Sequence, residues 1–160
     1  MGTTGRRCYV ASPLGFTPAG RLYYRQVLLP ALGALVEVVD PWSLTQASEF
    51  ADAHAAGTLE RFVIEVGRRN ARAIDDCTVL VAWLGGQEID SGTAAEIGYA
   101  AARGMRCFGL RDDLRRAGEP GAVVNLQVQA FIELSGGTIA GDLDELITTL
   151  SRSLSPATPT

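Results

Sequence analysis

The topology turns on Thr78-Val79-Leu80-Val81-Ala82-Trp83-Leu84-Gly85-Gly86. This run is β-branched and apolar without alternation, the pattern of a strand buried on both faces of a parallel sheet. Gly85-Gly86 ends it. Downstream, Ser91 to Arg103 reads as a helix of small and apolar residues, and Arg106 to Leu110 as the next strand. Upstream, Leu59, Phe62, Val63, Val66, Ala73 and Ile74 fall at helical spacing between Thr58 and Asp75. Strand and helix therefore alternate on both sides of the central run.

The same alternation continues to both ends. Cys8 to Ser12, closed by Pro13, reads as the first strand. Ala19 to Leu35 reads as a helix that Pro30 should kink or split. Val36 to Val39, ended by Asp40-Pro41, reads as the second strand, and a short helix is expected near Gln46 to Ala55. After a charged loop from Arg111 to Gly121, a short helix is expected over Asn125 to Glu133, a last strand over Gly137 to Ala140 and a last helix over Leu143 to Leu154. Such alternation predicts an α/β fold: a doubly wound five-stranded parallel sheet in three αβα layers, flavodoxin-like, in the order 2-1-3-4-5. Ligands in such sheets bind outside the carboxyl ends of the strands, near the order reversal. The loops Ser12 to Thr17, Gly85 to Asp90 and Arg111 to Val124 are the expected walls.

Length and composition limit the chemistry. The 160 residues make one domain, expected over 1–154, with the tail 155–160 disordered. The chain carries a net charge of −4 and all 14 of its basic residues are Arg. A Schiff-base lysine, a P-loop lysine and the kinase lysine are thereby excluded, and a nucleic-acid polymer is not the expected partner. One histidine, His54, makes a histidine-rich zinc site unexpected, and it reads as a surface residue. Cys8, Cys77 and Cys107 lack any CxxC spacing and read as reduced, buried thiols of a cytoplasmic protein. The opening MGTTGRRCYV shows no signal-peptide pattern, and Arg6 spoils a myristoylation match. No run is long enough to span a membrane. Neither GxGxxG after the first strand nor GxxxxGK[ST] is present. No cofactor and no metal are expected.

The chemistry concentrates in Asp90-Ser91-Gly92-Thr93-Ala94-Ala95-Glu96-Ile97-Gly98-Tyr99-Ala100. Asp90 or Ser91 can cap the helix. Glu96 is the helix's only ionisable carboxylate. It shares a face with Gly92 one turn nearer the N-terminus, and side chains lean that way, so Glu96 points toward the carboxyl edge of the sheet beside the space that Gly92 leaves. A Glu past the first turn owes little to the helix dipole. Two carboxyl groups six residues apart can divide labour between attack and positioning or proton donation. Tyr9, in the first strand, needs a partner for its hydroxyl if buried, and a carboxylate on the neighbouring helix would serve. Trp42, just after the second strand, is a candidate aromatic wall or a core residue.

Tyr9-Val10-Ala11-Ser12-Pro13, Asn70-x-x-x-Ile74, the Asp90–Ala100 block, Gly109-Leu110-Arg111-Asp112-Asp113 and Asn125-Leu126-Gln127-Val128 occur in that order. From about Tyr9 to Leu150 the chain resembles the nucleoside 2-deoxyribosyltransferases, the Asp-to-Glu block being the most specific element. The resemblance implies exchange of the nucleobase of a 2′-deoxynucleoside through a covalent deoxyribosyl ester on Glu96, with configuration retained and slow hydrolysis as a side activity. It also implies that Tyr9 orients Glu96, that Asp90 lies near sugar and base, and that Asn125 reaches the sugar 5′-hydroxyl in a neighbouring subunit's site, so that a homo-oligomer is required. Where some members carry an Asp that contacts the base, this chain has Asn70, which cannot donate a proton as an acid. That role then falls to Asp90, to Asp75 or Asp76, or to water. Some members also place their terminal carboxylate in a neighbour's site; the SPATPT tail here looks too loose for that. Phe16 and Trp42 lie on the edge where a flat base needs a slot, and Ser12 and Gly92 border it.

Two other readings compete. A 2′-deoxynucleoside 5′-monophosphate N-glycosidase of the same superfamily would use water as acceptor and need phosphate donors, for which Ser12 and Arg111 are candidates. A non-catalytic nucleotide-binding module would have no use for a carboxylate beside a glycine gap.

Overall fold

The computed structural model describes residues 5–115 and 117–155, so most of the tail expected to be disordered, 156–160, lies outside the described residues. Five strands form one sheet: β1 (Arg7–Ala11), β2 (Glu37–Val39), β3 (Val79–Trp83), β4 (Arg106–Leu110) and β5 (Ile139–Ala140). The order is β2-β1-β3-β4-β5, and every pairing is parallel. The chain runs from β1 outward to β2, then returns to place β3 on the other side of β1. The carboxyl ends of β1 and β3 therefore flank the point where the winding reverses, the place such sheets use for ligands.

The α-helices among the described residues are α1 (Pro18–Tyr23), α2 (Leu29–Gly33), α3 (Ala47–Ala55), α4 (Leu59–Asp75), α5 (Ser91–Ala102), α6 (Leu126–Leu134) and α7 (Leu143–Leu154). Alternation along β1 and β3 sorts the core into two halves. Tyr9, Ala11, Leu80 and Ala82 face Ile74, Ile97, Ala100, Val128 and Ile132 of α4, α5 and α6. Cys8, Val10, Val79 and Val81 face Tyr24, Leu28, Leu32, Leu146 and Leu150 of the first helical region and α7. Both halves are closed to water, which is why β3 shows no polar alternation.

The expected single helix from Ala19 to Leu35 is divided more finely than a kink. A π-helical turn, Tyr24–Leu28, separates α1 from α2, and Leu29 N–H donates to Tyr24 O. Pro30 supplies the cause: it has no N–H, and its ring clashes with the carbonyl four residues back. A widened turn just before it relieves that clash without ending the rod. The strands otherwise fall within a residue or two of the expected positions. The last begins at Ile139 rather than Gly137, because Gly137 lies against the Cys107 backbone, where a Cβ would sit 1.7 Å from the carbonyl oxygen. No helix among the described residues is long and apolar enough to cross a membrane.

Candidate active site

Strand β3 delivers the chain to the carboxyl edge, and Asp90 turns it into α5. The Asp90 Oδ2 accepts from Thr93 N at 2.9 Å and from Thr93 Oγ1 at 3.1 Å, an N-cap doubled by a side-chain hydroxyl. Thr93 is itself buried. The capped oxygen thus fixes the carboxylate plane, and Oδ1 has no hydrogen-bond partner among the described residues.

One turn on, Glu96 meets Tyr9. The Tyr9 hydroxyl donates to Glu96 Oε1 at 2.6 Å. The tyrosine ring is fully buried in the core, so the carboxylate is held by a donor anchored in the sheet. Burial raises the Glu96 carboxyl from the ordinary 4.5 to about 6; the Tyr9 hydrogen bond pulls the other way and the nearby Asp90 charge adds to the rise. Burial first, then Glu96, pushes the Tyr9 hydroxyl well above its usual value, so that it stays a donor. A Cβ at Gly92 would meet only Asp90 Oδ2, at 3.2 Å. The approach to Glu96 over Gly92 is otherwise open.

These groups line a cleft of about 310 Å³, a volume at the lower end for small-molecule sites. Ser12, Phe16, Trp42, Asn70, Asp90, Gly92 and Glu96, all expected at the site, border it. Phe16 and Trp42 meet edge to face, with ring centroids 4.7 Å apart and planes at 87°, and form an apolar corner. The indole N–H donates to Ser12 O at 3.1 Å, while Ser12 Oγ accepts from Leu14 N at 3.0 Å. Pro41, Thr45, Phe50, Val66 and Thr93 complete the lining without having been singled out as site residues from the sequence. The spacing of Phe50 and Val66 on their helices marks them only as apolar-face residues, and nothing in the sequence says that this face turns toward the cleft.

Several expectations are corrected. Besides α5, the lining comes from the segments after β1 and β2 and from α3 and α4, and no described residue of the loop after β4 borders it. Arg111 is not free to hold a phosphate. It is buried, and its guanidinium donates to the carbonyl oxygens of Leu84, Gly86 and Arg115. It ties the loop after β4 to the loop after β3. Asp113 strengthens the tie by accepting from Gly86 N at 3.0 Å, and its pairing with Arg115 holds its carboxyl well below the usual range. Asp75 bonds Tyr99 and Arg103, and Asp76 lies beside Arg7; neither borders this chain's cleft. Asn125, expected in a neighbouring subunit's site and not in its own, does not border this chain's cleft. It is exposed, and its Oδ1 caps α6 by accepting from Gln127 N and Val128 N. His54 is exposed near the end of α3. Among the described residues no cluster of potential metal ligands occurs.

Fold and cleft together define an αβα protein with a cleft at the winding reversal of a parallel sheet, and a carboxylate, Glu96, in its lining. Within that class the chain belongs to the nucleoside 2-deoxyribosyltransferase family, whose model matches residues 8–136. The fold is shared with a conserved protein from Enterococcus faecalis V583, at TM-score 0.68 and 22% identity over 94% of this chain and 100% of that one. It is shared also with the CMP N-glycosidase BcmB of Clostridium botulinum, at TM-score 0.54 and 17% identity over 93% of this chain and 100% of that one. No curated protein matches by sequence.

Proposed function

We propose that the chain is a nucleoside 2-deoxyribosyltransferase that exchanges the base of a 2′-deoxynucleoside by double displacement. A Glu96 carboxylate oxygen attacks C1′ and forms an ester. The C1′–N bond breaks, its electron pair leaves with the base, and the base takes a proton from Asp90 or water. A ring nitrogen of a second base then attacks C1′ from the vacated side, expels the carboxylate and gives up its proton. Two inversions retain configuration. Tyr9 orients Glu96, Asp90 positions the sugar, and the corner of Phe16 and Trp42 takes the base beside Asn70. An apolar wall at C2′ would exclude ribose by leaving its hydroxyl unpaired, a penalty of about 1–3 kcal/mol.

The observation that carries this reading is the hydrogen bond from Tyr9 that holds Glu96 in the wall of a largely apolar cleft. The choice of a free nucleoside over its 5′-monophosphate rests on charge. Among the described residues two carboxylates border the cleft, no Arg or His does, and Arg111 is committed to backbone carbonyls. A dianionic phosphate would meet no counter-charge from the described residues that border that cleft. Incubation with deoxyinosine and adenine should yield deoxyadenosine and hypoxanthine, and a 2-fluoro sugar donor should leave a pentosyl ester on Glu96 detectable by mass spectrometry. Release of deoxyribose phosphate from a deoxynucleoside monophosphate, with no exchange, would replace this reading with nucleotide hydrolysis. The partners expected are deoxynucleosides, nucleobases and further copies of the chain, in the cytoplasm and in nucleotide salvage.

A further inference from the structure

The base-facing indole is held from the opposite side of the sheet. Tyr24, the first residue of the π-helical turn, belongs to the layer that does not carry Glu96, and only 2% of it is exposed. Its hydroxyl passes the end of β2 and donates to Asp40 Oδ1 at 2.9 Å. The same oxygen accepts from Trp42 N at 2.9 Å and caps the 3-10 turn Pro41–Ser43. Trp42 then closes over Gly15, where even a Cβ would lie 2.2 Å from the indole, and reaches Ser12 O and the edge of Phe16. One carboxylate oxygen therefore couples a residue of the far layer to the aromatic corner of the cleft.

Resting on the base-exchange reading above, we propose that Tyr24 and Asp40 are positioning residues for the base platform: without touching substrate they set how tightly the cleft takes a flat heteroaromatic base. The ordinary need of a buried tyrosine is one acceptor, and a backbone carbonyl would meet it. Here the acceptor is the atom that fixes the Trp42 backbone. Without the Tyr24 hydroxyl, the Asp40 carboxylate can rotate to water and release Trp42 N–H, and the indole loses its fixed tilt against Phe16. Burial, then the Asp40 charge, pushes the Tyr24 hydroxyl above its usual value, so it donates throughout any practical assay range. Glu96 takes its hydrogen bond from Tyr9 and not from Tyr24, so the group that attacks C1′ keeps its own partner when the Tyr24 hydroxyl is removed.

The chain has two tryptophans, so in a Trp83→Phe background Trp42 reports alone. Quenching of its fluorescence by hypoxanthine measures base affinity without turnover. Tyr24→Phe should weaken that affinity and raise KM for the acceptor base about tenfold, with kcat held within about twofold, the pattern of lost ground-state binding. Asp40→Asn, which keeps an acceptor oxygen, should lie between wild type and Asp40→Ala, and it carries the test if Tyr24→Phe fails to fold. Superimposable quenching curves and unchanged KM in both variants, with normal exchange by wild type, would overturn this inference alone. Absence of both quenching and exchange in the wild-type chain would remove the base-exchange reading, and the platform with it.

Discussion

A carboxylate that attacks carbon, the role proposed for Glu96, has to be ionised, and Glu96 is held near the edge of that condition. With the carboxyl raised to about 6, kcat/KM should climb as pH rises through about 6 and level off above it. Tyr9 opposes the rise, so Tyr9→Phe should move that limb to higher pH, and a pH–rate profile of both forms checks the direction. The same displacement bears on stability. A carboxyl whose folded value lies above its unfolded one favours folding while protonated and loses that advantage as pH climbs from the unfolded to the folded value. The rise from 4.5 to about 6 corresponds to about 2 kcal/mol lost by neutral pH. Glu96→Gln should therefore raise the melting temperature by several degrees at pH 7, with little gain at pH 4, while lowering exchange by about a thousandfold or more. A variant that melts no higher at pH 7 would deny that Glu96 is kept charged at the expense of stability. This pairing was legible in the sequence because a strand tyrosine and a helix carboxylate both needed a partner. The Tyr24–Asp40 pair was not, since it joins opposite layers around the end of a strand and leaves no local spacing to read.

At the scale of elements, the strand–turn–helix from β3 into α5 was readable from apolar content, paired glycines and a capping aspartate. The loop after β4 was not. Its arginine and two aspartates have the composition of an anion site, yet a guanidinium donates equally well to carbonyl oxygens, and only the meeting of two loops chooses between them. Arg111 lies buried across both loops. Its truncation to Ala leaves three carbonyls short of a donor, and the expected cost is about 2–4 kcal/mol. Urea unfolding of Arg111→Ala should show a lower midpoint at unchanged slope. A midpoint equal to wild type would mean that the tie between the loops contributes nothing. The π-helical turn was half legible: Pro30 announced a disruption, but the place where a helix absorbs it depends on what packs beneath.

For the whole molecule, the sheet order followed from the alternation of strand and helix, whereas the assembly of copies is a matter of surfaces that no periodicity encodes. Asn125 stands outside its own chain's cleft, and its proposed place is in a neighbour's. Glu96→Ala and Asn125→Ala chains should each be inactive alone. Mixed at equal amounts and allowed to exchange subunits, they should regain about a quarter of wild-type turnover if copies pair as dimers, because half the pairs are hybrids and each hybrid holds one intact site. Asn125→Ser, which preserves the helix cap, separates lost reach from a frayed helix. Mixtures that stay inactive would confine the site to one chain.

The two outermost strands have a consequence for how copies can meet. β2 is three residues long and β5 two, too short to recruit a strand from another molecule. Growth of the folded sheet by edge-to-edge addition is disfavoured at both margins. Any association between copies is left to helix flanks and loops.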